Sequence, residues 1–97
     1  MNIKEVETIL TSHGVPLADA TVVADCFVTA DAYGVTSHGT AILSAHLDKI
    51  DRGGYNLHPS FVTVRESPSF AVIDSDNAMG PVSAMYCMMR SIEKSKE

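Results

Sequence analysis

Ser37-His38-Gly39 places an ionisable imidazole between a hydroxyl and a glycine, directly ahead of Leu43, His46, Leu47 and Ile50 at helical spacing. This pattern predicts a third helix from about Ser37 to Arg52, with Ser37 as its N-cap accepting from the free N–H groups of the first turn. His38 would then sit at the positive end of the helix, where the macrodipole favours neutral imidazole over imidazolium. Neutral imidazole accepts a proton from an alcohol or donates to a carbonyl, which is the work of an acid/base histidine in carbonyl chemistry. The alternative is a surface or half-buried histidine with no chemistry.

Asp31 is the second residue of interest, because a carboxylate in the last turn of a helix opposes the macrodipole and calls for a compensating partner. Either it is solvated, or it accepts backbone N–H bonds from the Gly34-to-Gly39 turn and supports His38 from behind. His38, His46, Asp48 and His58 invite a metal reading, but positions 38 and 46 on one helix lie about 12 Å apart along its axis, too far for one ion. No metal is expected. The glycines at 14, 34, 39, 53, 54 and 80 build no G-x-G-x-x-G, and Thr40-Ala41 follows Gly39 where a phosphate loop needs Lys-Ser/Thr.

The elements that must position these residues are legible in the spacing. Ile3, Val6, Ile9 and Leu10 make an amphipathic first helix ending at Gly14. From about Leu17 to Tyr33 apolar residues cover most of the circumference, so the second helix is expected to be largely buried, with Gly34 as its stop. Gly53-Gly54 ends the third helix. Residues 61–65 and 70–74 read as strands joined by Ser67-Pro68-Ser69, an antiparallel pair, and Asp76-Asn77 marks a further turn. Gly80-Pro81 opens a fourth helix with a Val82, Met85, Met88, Met89, Ile92 stripe. That stripe packs into the core, or else meets a further part of the fold or a second subunit. The expected class is α+β, one region over 1–97, helical over 1–54 and with the strand pair and helix over 61–97.

Composition narrows the function. A net charge of −5 without a basic stripe gives no electrostatic support for a nucleic-acid or anionic-membrane partner. Cys26 and Cys87 lie in helical segments without a nearby thiol or ligand partner and are expected as buried small hydrophobes in a reducing cytoplasm. Acidic residues near the N-terminus interrupt any signal-peptide core, and no apolar run has the length of a membrane span. The expected location is cytoplasmic. Ser91 to Glu97 is a solvated end without a stop signal, which suggests the leading part of a larger fold.

Asp31-x-x-Gly34-x-x-Ser37-His38-Gly39, Gly53-Gly54, Val64-Arg65-Glu66-Ser67-Pro68 and Asp74-x-Asp76-Asn77-x-x-Gly80, in this order, resemble the N-terminal part of the malate/L-lactate dehydrogenase family, which includes ureidoglycolate, diketogulonate and sulfolactate enzymes. The resemblance implies a larger non-Rossmann dehydrogenase fold and oxidoreduction of a small 2-hydroxy acid or ureidoglycolate-like alcohol with NAD or NADP, the cofactor site lying mostly outside this chain. Independently of the resemblance, the second helix and the methionine face of the fourth offer more apolar surface than a domain this small readily covers, so a homo-oligomer is expected, as a dimer. His38 would be the catalytic acid/base, Ser37 a substrate contact, and Asp31 and Gly39 supports. Family members carry an arginine four residues after the motif histidine to bind the substrate carboxylate; this chain has Ile42. Either the substrate lacks that carboxylate, another residue binds it, or the activity is lost. The rival reading is a non-catalytic helical interaction or assembly module.

Overall fold

Asn2 sets the start of the first helix. Its side-chain oxygen accepts the Glu5 N–H at 2.8 Å while the Glu5 carboxylate accepts the Asn2 N–H at 3.5 Å, a reciprocal capping box ahead of α1 (Ile3–Ser12). In the computed structural model, which describes residues 1–96, the chain continues through α2 (Leu17–Ala32), 3₁₀ turns at Thr36–His38 and Thr40–Ile42, and α3 (Leu43–Asp51). Strands β1 (Val62–Ser67) and β2 (Phe70–Asp74) follow, then α4 (Gly80–Ser95). The class is the expected α+β, with three helices, an antiparallel strand pair and a fourth helix. Glu97, the tip of the expected solvated end, lies outside the described residues.

The core gathers Val6 and Leu10 of α1, Ala20, Val23, Ala24 and Phe27 of α2, Leu43 and Ile50 of α3, and Val15, Met79 and Val82 beside them. Positions 20, 23, 24 and 27 form one stripe of α2, as a helix packed on one side requires. The sequence reading of α2 as buried nearly all round is therefore corrected. α1 and α4 pack on it, but Leu17 is 63% exposed and Cys26 is also exposed. Cys26 sits in a shallow groove between α2 and α4 lined by Val22, Thr29, Ala84, Met85 and Met88, so it is not the buried hydrophobe expected; Cys87 is half-buried.

β1 and β2 pair antiparallel, Val62 opposite Asp74 and Ser67 opposite Phe70, with a bulge between Thr63 and Arg65. β1 runs two residues past the predicted end at Arg65 because Glu66 and Ser67 pair with Ala71 and Phe70. A cluster of opposite charges ties the hairpin to α4. Glu66 receives Arg90 and Lys94, each at 2.8 Å, Lys94 also donates to the Ser67 carbonyl at 2.8 Å, and Arg90 reaches Glu93 at 2.9 Å. The hydrogen bond and charge of Lys94, with help from Arg90, hold the Glu66 carboxyl below its usual range. Phe61 stacks on Tyr86 with centroids 4.2 Å apart. Of the expected α4 stripe only Val82 is buried; Met85, Met88, Met89 and Ile92 are exposed. The core-packing expectation for that face is corrected. The hairpin meets α4 along the Arg90–Lys94 side instead, with Phe61, just ahead of β1, on Tyr86.

Candidate active site

The polypeptide around His38 is shaped by how α2 ends. Gly34, at φ +76°, donates to the Asp31 carbonyl at 3.0 Å while Val35 donates to the Ala30 carbonyl at 2.9 Å, a Schellman closure that needs a residue free to enter the left-handed region. Gly53 and Gly54 close α3 on Ile50 and Lys49 in the same way. The chain emerging from Gly34 then folds back over the end of α2 as two short 3₁₀ turns.

Asp31 fixes that return. Its Oδ1 accepts the Thr40 N–H at 3.1 Å and its Oδ2 accepts the Thr40 hydroxyl at 2.6 Å. The Asp31 carboxylate is thus paired, but its partner is Thr40, one residue past the Gly34-to-Gly39 turn, and not the N–H groups within that turn. Thr40 opens the second 3₁₀ turn, so the carboxylate acts as a cap reaching across nine residues. Leaving such an N–H unpaired in a half-buried position would cost about 1–3 kcal/mol. Gly39, between His38 and Thr40, is buried against this carboxylate. A Cβ there would overlap Asp31 Oδ1 and lie 2.8 Å from its Cγ. Its φ of −98° is open to any residue, so glycine is demanded by space and not by conformation.

Gly39, at φ −98° and ψ −159°, also interrupts the helix predicted from Ser37. α3 begins only at Leu43, and Ser37 lies inside the first 3₁₀ turn without capping anything. His38 therefore does not stand at the N-terminus of α3, and residues 38 and 46 do not lie on one continuous helix. Apolar spacing at 43, 47 and 50 does not register a break whose cause, Asp31, lies in another helix. Ser37 Oγ instead lies 2.9 Å from His38 Nδ1. A hydroxyl donates or accepts, so it pairs with Nδ1 in either tautomer and leaves Nε2 pointing to other partners. Both residues are exposed, and among the described residues Nε2 has no hydrogen-bond partner.

Ile42 does not share a continuous helical face with His38. It is half-buried and packs on the core, whereas His38 faces outward. His46 lies beside the buried stripe as its spacing indicated. Its Nδ1 is 2.8 Å from the Tyr55 hydroxyl, and its ring contacts Phe27 at 5.3 Å between centroids. Burial, then the nearby Lys49 charge, push the His46 imidazole below its usual value. Lys49 Nζ stands 4.2 Å over the Tyr55 ring. Among the described residues no three His, Cys, Asp or Glu side chains gather as a metal site, and no helix is long and apolar enough to cross a membrane.

Thr40 was missed as a site residue, its hydroxyl being one of many in the chain. The missed Glu66–Arg90–Lys94 cluster joins residues 24 and 28 positions apart, which only the tertiary fold brings together. The capping box, by contrast, left a local signal in Asn2 and Glu5.

The malate/L-lactate dehydrogenase family model matches residues 3–97. Malate dehydrogenase of Pyrococcus horikoshii is 46% identical over 89 residues, which are 92% of this chain and 25% of that protein. L-sulfolactate dehydrogenase of Methanocaldococcus jannaschii is 40% identical over 91% of this chain and 26% of its own length. Ureidoglycolate dehydrogenase (NAD(+)) of Escherichia coli K12 is 33% identical over 95% of this chain and 26% of its own. The P. horikoshii structure superposes with a TM-score of 0.94 at 44% identity, covering 97% of this chain and 27% of that one. The chain thus spans about a quarter of the length of these relatives. With its Asp31-to-Gly39 turn built as described and its fold shared with solved dehydrogenases, the chain belongs to the malate/L-lactate dehydrogenase family.

Proposed function

We propose that this chain supplies the acid/base histidine of an NAD- or NADP-dependent dehydrogenase acting on a small 2-hydroxy acid or a ureidoglycolate-like alcohol. The observation that carries the reading is the fixed Ser37-His38-Gly39 turn, in which Nδ1 meets a hydroxyl and Nε2 is left to the substrate. Oxidising an alcohol to a carbonyl releases the hydroxyl proton, and neutral His38 Nε2 is the acceptor; in the reverse direction imidazolium returns it to the carbonyl oxygen. Ser37 holds the ring and stands next to the substrate.

The described residues do not themselves fit a dinucleotide. The left-handed glycines close helix C-termini at Gly14, Gly34 and Gly53, where carbonyls and not N–H groups face outward. Arg90 and Lys94 are committed to Glu66. We accordingly assign the cofactor site mostly to residues outside this chain.

Ile42 bears on the substrate. A core-packed isoleucine cannot grip a carboxylate, and losing a charge-assisted bidentate pair is worth on the order of 2–5 kcal/mol. We therefore assign carboxylate binding, where the substrate has one, to another residue. A homodimer in the cytoplasm completes the reading; light scattering on the complete gene product tests the assembly.

The direct test assays the complete gene product with malate, lactate, sulfolactate and ureidoglycolate, each with NAD and with NADP, following the nicotinamide absorbance. Turnover of at least one pair that is lost in His38→Asn supports the reading. Absence of turnover with every pair, in a folded protein, overturns it and favours the assembly-module alternative, for which the exposed Met85 and Met88 face is the observation.

A further inference from the structure

We propose that Asp31 is a positioning residue for His38, acting through Thr40, and that Gly39 is present because its side chain would expel the Asp31 carboxylate. The inference rests on the reading of His38 as the acid/base group for its catalytic consequence, though not for its structural one. Three observations converge. Asp31 binds both polar groups of Thr40, the N–H at 3.1 Å and the hydroxyl at 2.6 Å. Gly39, the residue linking His38 to Thr40, is packed so closely on the carboxylate that a Cβ would overlap Oδ1, although its backbone angles suit any amino acid. Among the described residues, His38 itself is held on the other side only by the turn's own bonds, His38 N–H to the Val35 carbonyl at 3.1 Å and Gly39 N–H to the Thr36 carbonyl at 3.3 Å, and by its neighbour Ser37.

The physical consequence is a two-point clamp. The end of α2 fixes residue 35 through the Ala30 carbonyl and fixes residue 40 through the Asp31 side chain, so the four residues between, Thr36 to Gly39, are strung between anchors on one helix terminus. An exposed histidine on a short 3₁₀ turn would otherwise sample several orientations, and a catalytic group loses rate steeply when its placement loosens by an ångström. Asp31 and Gly39 are therefore energetically coupled: Gly39→Ala acts by evicting the carboxylate and has nothing left to evict once Asp31 is alanine.

A double-mutant cycle on the complete gene product tests this, with Gly39→Ala, Asp31→Ala and the pair. Each single variant is expected to lower kcat about 10- to 100-fold with KM changed less than about threefold, and the double variant is expected to lose no more than the worse single. Thr40→Ser, which keeps both groups that Asp31 binds, is expected to retain wild-type turnover, while Thr40→Val falls with Asp31→Ala. The second readout needs no turnover: NMR couplings across the His38 Cα–Cβ bond are expected to report one rotamer in the wild type and averaging in Asp31→Ala. Multiplicative losses in the cycle, or an unaveraged His38 side chain in Asp31→Ala, would overturn the proposal. If the wild type proves inactive, the function reading fails and the rotamer measurement still decides the clamp. Should Asp31→Ala not fold, Thr40→Val carries the same rotamer comparison.

Discussion

The helical region up to Gly54 and the hairpin with α4 solve the same problem in opposite ways. In the first, α1, α2 and α3 bury their stripes against one another and the polar groups at their ends find specific partners: Asn2 with Glu5, Asp31 with Thr40, His46 with Tyr55. In the second, Val62, Val64, Phe70 and Val72 of the hairpin and Met85, Met88, Met89 and Ile92 of α4 remain exposed, and a surface ion cluster holds the parts together. The turn that carries His38 is built on the end of a helix whose other side is in a closed core, whereas the open region leaves its apolar faces to solvent and places its polar contacts in surface ion pairs.

Removing a buried side chain from the first region gives the largest stability change. Leu10→Ala is expected to cost about 2–5 kcal/mol, because Leu10 is completely buried, whereas Val64→Ala, at 64% exposure, is expected to stay within about 0.5 kcal/mol. Urea melts of the complete gene product and both variants check this. Equal losses would erase the distinction between the regions.

Next in size is the α1 cap. Asn2→Ala removes the acceptor of the Glu5 N–H and is expected to cost about 1 kcal/mol, while Asn2→Gly costs only a few tenths. An Asn2→Ala variant as stable as the wild type would show that the side-chain acceptor is not the source of the stability.

The smallest effect is a pH dependence, and the pH window in which it falls separates the regions. His46 is pushed down in the folded state, so unfolding binds protons between its folded value and the ordinary value near 6.5. Stability is therefore full above about pH 6.5 and falls as pH drops through the folded value, and His46→Gln is expected to flatten this step in a melting-temperature series. Glu66 is likewise depressed, so its contribution is present above the ordinary carboxylate range near 4.3 and is lost at more acidic pH; Glu66→Gln is expected to lower stability above that range and to flatten the acid step. A step near neutrality that survives His46→Gln would contradict the assignment.

Much of this architecture is written locally in the chain. Gly34 and Gly53 announce helix stops because only glycine enters the left-handed region without penalty, and the alternation in residues 70–74 sits on β2 itself. The site was legible as a motif but not as a geometry. Ser37 has the chemistry of an N-cap, yet α3 starts six residues later, because the Asp31 carboxylate captures Thr40 and Gly39 turns the chain between them. The α4 stripe misled for a related reason: period 3.6 shows that a face is apolar, and does not show what covers it.

The central claim is that His38, on a turn clamped to the end of α2, moves the substrate proton. Single-turnover oxidation of a 2-hydroxy acid by the complete gene product tests it most directly, comparing wild type with His38→Asn at matched cofactor and substrate saturation and with thermal melts run alongside. The expected result is a loss of about 10²–10⁴-fold in the chemical step with an unchanged melting temperature. An unchanged rate in the folded variant would contradict the account.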